Sequence, residues 1–162
     1  MTMNERYYGD EAVEAAARAF GFKGPIDPVV RHLIHDEGFL PYDYEDDVGV
    51  KTYGVGQTGK YAKMDFFKEV VPEFENKARK IVPQYDRLND EQRSAILSAV
   101  YRGDLAEDHR TAKLLREGKG QAAADEYLNH GEYKERKAQD PNDGVVARMN
   151  RNSKVFATIG QR

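Results

Sequence analysis

Two carboxylic acids and a hydroxyl lie close together in the chain: Glu37, Asp46 and Thr52. A carboxyl group serves as a proton donor near neutral pH when partial burial penalises its charged form, whereas a hydrated carboxylate stays ionised and serves as a base. Two carboxyls whose surroundings differ in this way form an acid and base pair. The spacing by itself decides little, because the chain carries 28 acidic residues and such pairs recur by chance. An alternative is structural, with Glu37 in a buried ion pair, for instance with Arg148, and Asp46 as a turn former.

The elements that would hold these groups are legible. Asp27 followed by Pro28 reads as an N-cap and first helical position, and Gly38 is placed to end the helix in a left-handed conformation. With Val29 at zero, Leu33 falls at about 40°, Glu37 at about 80°, Val30 at about 100° and Ile34 at about 140° around that helix. Glu37 therefore shares the apolar stripe. From Pro41 to Gly56 the sequence turns to Tyr, Val and Thr mixed with Gly and Asp, which predicts a β-hairpin reversing near Asp46, Asp47, Val48 and Gly49. Asp46 then sits in a hydrated turn beside Glu45 and Asp47.

Other chemistries fit less well. The stretch Gly54 to Tyr61 (GVGQTGKY) matches a phosphate-binding loop except at its last position, where Tyr61 replaces the hydroxyl that binds magnesium. It also follows a polar hairpin rather than a buried parallel strand, so a glycine-rich hairpin exit is the better reading. The acidic run Asp43 to Asp47 has Val48 where a calcium loop needs glycine and Gly54 where it needs an acid. Zinc would depend on His32, His35, His109 and His130, of which His32 and His35 point off the apolar stripe and read as solvated. No metal site and no cofactor are expected.

Around this region the helical period dominates. An N-terminal helix is expected over Asp10 to Phe20, stopped by Gly21 and by Gly24-Pro25. Further helices are expected over Asp65 to Ile81, interrupted or restarted near Pro72, and over Asp90 to Tyr101, Arg110 to Glu117, Gln121 to Asn129 and Val145 to Ile159. Asn89 and Gln92 stand at capping-box spacing. A small hairpin lobe joined to a larger helical bundle is an α+β fold. No repeat or linker divides the 162 residues, so a single domain over 1–162 is expected, with 1–27 as an N-terminal helical extension.

Composition narrows the partners. With 25 Lys and Arg against 28 Asp and Glu the formal charge is −3, which argues against a general nucleic-acid binder. Mean hydropathy of −0.80 leaves no stretch suited to membrane insertion. The absence of cysteine excludes disulfides, Cys-ligated metals and thiol nucleophiles. The opening MTMNERYY does not read as a secretory signal peptide.

The residues Glu37-Gly38, Tyr44, Asp46, Gly49, Thr52 and Gly54-Val55-Gly56 form the pattern E-G-x5-Y-x-D-x2-G-x2-T-x-G-x-G, which resembles the active-site signature of the phage-type lysozymes, glycoside hydrolase family 24. Leu88, Gln92 and Ala95 resemble that family's central bundle helix, and Arg148 with Phe156 its late arginine-bearing helix. The resemblance runs from about Pro28 to Gly160.

It implies a lysozyme-like fold with a cleft between hairpin and helical lobes. It also implies hydrolysis of the β-1,4 bond between N-acetylmuramic acid and N-acetylglucosamine in bacterial peptidoglycan. In that reading Glu37 is the general acid, Asp46 the carboxylate opposite, Thr52 the hydroxyl that holds the attacking water, and Arg148 the partner of the acid. A threonine beside the carboxylate favours water activation and inversion at the anomeric carbon, with the carboxyls roughly 6.5–9.5 Å apart. A lytic transglycosylase is the alternative chemistry, and a non-catalytic peptidoglycan-binding or virion structural module is the alternative function.

Tyr44, Gly56, Gln57 and Arg102 are the expected substrate contacts, although Gln57, Arg102 and Asn152 depart from residues common in the family. The resemblance further implies a monomer made in a host cytoplasm and acting on the wall in the periplasm or from a virion. A charge of −3 gives little attraction to anionic wall polymers, which leaves room for a carrier, and the resemblance implies a virion protein or a pore-forming lysis partner in that role. The extra N-terminal helix is expected to stabilise its own domain, the alternatives being docking to a virion component or covering the cleft.

Overall fold

The computed structural model describes residues 6–45 and 51–160, with side chains described for 6–41 and 52–160. It is mostly helical with one small antiparallel sheet, an α+β composition. The chain resolves into two compact units, 1–73 and 74–162.

The first unit opens with helix α1 (Gly9–Ala19), which buries Ala12, Val13, Ala15 and Ala16, and continues into α2 (Pro28–Glu37), which buries Val29, Leu33 and Ile34. Asp27 caps α2 by accepting a hydrogen bond from the Val29 N–H at 2.8 Å, and Pro28 opens the first turn. Helix α2 stops at Gly38, whose φ of 74° and ψ of 179° fall where side chains are strongly disfavoured. Three strands follow in the order β1 (Leu40–Glu45), β2 (Lys51–Gly54) and β3 (Gln57–Thr58), all antiparallel. The register places Thr52 opposite Tyr44 on one side and Thr58 on the other. The expected hairpin is thus extended by a short third strand, which two residues of sequence do not announce.

Beyond a short 3-10 stretch (Gly59–Lys63), the helix expected from Asp65 begins as a π-helical turn, Phe66–Val70, before α3 (Val71–Ile81). Asp65 accepts from the Phe67 and Lys68 N–H groups. Pro72 has no N–H to give to a regular i−4 bond, and the widened turn lies immediately before it.

The second unit is a bundle: α4 (Asp90–Arg102), α5 (Arg110–Arg116), α6 (Gly120–Leu128), α7 (Gly131–Gln139) and α8 (Gly144–Phe156). Asn89 and Gln92 form the expected capping box, and Gly103 ends α4 in the left-handed conformation. Ser94 to Val100 of α4 are buried without a break, so this helix is covered around its circumference rather than on one face alone. Its core partners include Tyr85, Leu115, Tyr127, Met149 and Phe156. Helix α7 was not expected from sequence: its segment GEYKERKAQ buries Tyr133 alone and so carries no apolar period. No helix among the described residues is long and apolar enough to cross a membrane.

Candidate active site

Glu37 is the last residue of α2, where the helix passes into Gly38. Leu33 and Ile34, one turn earlier, are fully buried, and they anchor the face that Glu37 continues. The Glu37 side chain is half-buried. Its carboxylate lies against the turn between β2 and β3: a Cβ added at Gly56 would stand 3.0 Å from Glu37 Oε2. Gly56 also has a φ of 60°, so both the backbone and the carboxylate beside it require glycine. The structure therefore brings Glu37 and Gly56 together. It gives Gly56 a steric role, as the gap into which the acid reaches.

Thr52 stands in the middle strand of the same sheet, half-buried. The register sets Tyr44 opposite it, while the Tyr44 side chain lies outside the described side chains. Asp46, expected as the second carboxylate, lies outside the described residues, as do the rest of the predicted hairpin turn, Asp47, Val48 and Gly49.

Gln57 takes a place that differs from a surface sugar contact. It is 1% exposed. Its Oε1 accepts from the Val55 N–H at 3.2 Å, and its Nε2 donates to the carbonyls of Tyr61 at 2.8 Å and Met64 at 2.9 Å. One side-chain amide thus closes the glycine-rich turn and ties it to the following 3-10 stretch. This use accounts for the polar residue after Gly56. Tyr61 in turn donates its hydroxyl to Glu73 at 2.9 Å, and Lys60 pairs with the same carboxylate. The apparent phosphate loop is accounted for by packing: it joins two antiparallel strands and runs into a 3-10 stretch, not into an α-helix.

In the second unit, Arg102 ends α4 and pairs with Asp104 at 3.1 Å and with Glu132. Glu132 also holds Arg136, which reaches Asp143 at 3.2 Å. Arg102, expected as a substrate contact, is therefore a member of an ion-pair chain linking the ends of α4, α7 and α8. Arg148 projects from α8 onto α4: its Nε donates to Ser98 Oγ at 2.9 Å and its Nη2 to the Ser98 carbonyl at 3.3 Å. Asn152, buried one turn later, donates to the same hydroxyl at 3.4 Å. Ser98, which joins α4 to α8 through these bonds, is not singled out by the sequence. Its signal is faint, a small hydroxyl in the otherwise apolar run AILSAV.

The histidines have local partners. His32 pairs with Asp36 at 3.3 Å and His35 with Asp10 at 2.9 Å. His109 Nδ1 accepts from the Ala106 N–H and His130 Nδ1 from the Glu132 N–H, so both imidazoles serve turns and helix starts. Among the described residues no cluster of His, Asp and Glu is arranged to hold a metal ion.

No protein-family model matches this chain, and comparison with curated proteins and with solved structures yields no match.

Proposed function

We propose that this chain is a peptidoglycan hydrolase that cleaves the β-1,4 bond between N-acetylmuramic acid and N-acetylglucosamine, used in phage-mediated lysis or wall penetration. The observation that carries the reading is the seat of Glu37: a half-buried carboxyl at the end of a helix, reaching into the gap left by Gly56, in the unit whose small sheet holds Thr52. The signature pattern supplies the remaining support, because its glutamate, threonine and last glycine fall on one helix end, one strand and one turn of a single compact unit.

In this reading Glu37 delivers its proton to the leaving glycosidic oxygen as the bond breaks. Asp46 takes a proton from water, which the Thr52 hydroxyl orients for attack on the opposite face of the sugar. Attack from that face inverts the anomeric centre, so the first product from a β-linked chain is the α-anomer.

The test is digestion of purified peptidoglycan by the isolated protein, with reducing ends and product anomers measured together. Release of reducing ends with α-anomers first supports the reading. Anhydro sugars without reducing ends identify a transglycosylase, and sedimentation with peptidoglycan without cleavage identifies a binding module.

A further inference from the structure

The segment preceding α2 does more than cover that helix. The N–H of Tyr7 donates to the Phe39 carbonyl and the N–H of Phe39 donates to the Tyr7 carbonyl, both at 2.8 Å, an antiparallel bridge across the exit of α2. Arg6 extends it, its Nη1 donating to the Glu37 carbonyl at 3.5 Å. Between these contacts sits Gly38, where an added Cβ would meet the Tyr7 carbonyl oxygen at 2.8 Å and the Arg6 Cδ at 3.0 Å. Three consecutive residues starting at Glu37 are thus fixed from one side by Arg6 and Tyr7.

The same segment also reaches the sheet. The ring of Phe20, just after α1, meets those of Phe39, Tyr53 and Phe67 edge-on, and Phe22 stacks on Phe67 at 4.5 Å. The Phe20 ring edge lies 3.3 Å from where a Cβ would stand on Gly54. Asp10 pairs with His35 at 2.9 Å and Arg31 at 3.7 Å, joining α1 to α2. One face of the segment therefore touches the turn that follows Glu37, and its other end touches the two residues after Thr52.

We infer that residues Arg6 to Phe22 form a positioning clamp for the acid, in which the Tyr7–Phe39 bridge sets the direction in which α2 presents Glu37 to the β2–β3 turn. The inference rests on the proposed hydrolysis. A backbone bridge at this point acts on orientation, and an acid misplaced by a fraction of its reach loses rate while substrate binding elsewhere is unaffected.

The test uses full-length protein with soluble peptidoglycan fragments, at a temperature where each variant is folded by circular dichroism. Tyr7→Pro removes the N–H that bonds Phe39, and kcat is expected to fall about tenfold with KM unchanged. Tyr7→Phe keeps that N–H and is expected to keep kcat. Arg6→Ala, which removes the bond to the Glu37 carbonyl but leaves the Tyr7–Phe39 bridge in place, is expected to lower kcat about threefold and covers the case in which Tyr7→Pro does not fold. Wild-type turnover with undiminished kcat in both Tyr7→Pro and Arg6→Ala overturns the clamp alone, as does an equal loss in Tyr7→Phe. Absence of turnover by the wild type overturns the proposed hydrolysis and the clamp with it.

Discussion

The Glu37 carboxylate occupies the space that a side chain at residue 56 would need, with Oε2 3.0 Å from the position of a Cβ on Gly56. The two residues are therefore coupled: any substitution at 56 acts on the acid. Gly56→Ala places a methyl group against the carboxylate at a backbone φ of 60°. It is expected to lower kcat for peptidoglycan cleavage by about tenfold to a hundredfold, with a stability cost of about 1 kcal/mol. Steady-state kinetics beside a melting curve separate the two effects, and an unchanged kcat would remove the steric coupling.

Gln57 is expected to report in stability and not in substrate affinity. Gln57→Leu leaves the Tyr61 and Met64 carbonyls and the Val55 N–H without their partner. Unfolding free energy is expected to fall by about 3 kcal/mol. For a chain of this length that is roughly 6–12 °C in Tm. A raised KM with an unaltered Tm would return Gln57 to the role of sugar contact.

What the sequence shows and what it hides follow from how local each interaction is. The caps were legible because they are written within a few residues: Asp27-Pro28, Asn89 with Gln92, and Gly38 after α2. Pro72 announced an irregularity, and the structure resolves it as a π-helical turn. Helix α7 was invisible because only Tyr133 is buried on it. The placement of Glu37 at the end of α2 and of Thr52 in the hairpin is legible from patterns of short range. That of Tyr7 is not, because a single bridge to Phe39 needs no alternation and leaves no period. The structural bonds of Gln57 and Arg102 are not legible in sequence because their partners, Met64 and Glu132 among them, are assembled only by folding.

Close packing of backbone against backbone in the second unit gives a sharper expectation. A Cβ at Gly120, the first residue of α6, would stand 2.4 Å from the Phe156 carbonyl oxygen and 2.3 Å from that of Ile159. The first oxygen belongs to the last residue of α8 and the second to the turn that follows it, so the overlap is with backbone rather than with a flexible side chain. Gly120→Ala is expected to destabilise by about 3 kcal/mol, at the upper end for overpacking. Chemical denaturation measures it, and a loss below about 0.5 kcal/mol, the scatter of surface substitutions, would contradict the packing at this point.

Asp143 links stability to pH. Partial burial works to raise its pKa, but hydrogen bonds from the Val145 and Val146 N–H groups and the nearby Arg136 outweigh this and hold it below the ordinary carboxylate value. A carboxylate lowered on folding contributes stability above its unfolded pKa, and that contribution disappears as pH falls through the folded value. Asp143→Asn retains a capping oxygen but does not titrate. The Tm advantage of the wild type over this variant is expected to be constant near neutral pH and to close below about pH 4. A gap that persists unchanged in acid would show that the charge of Asp143 contributes nothing.

The most direct test of the central claim is Glu37→Gln. Glutamine keeps the shape of the side chain beside Gly56 but has no proton to deliver. Reducing-end release from purified peptidoglycan is expected to fall by at least about a hundredfold, the usual contribution of a positioned acid, while Tm stays within a few degrees of wild type. A Glu37→Gln protein that cleaves peptidoglycan at the wild-type rate would contradict the account.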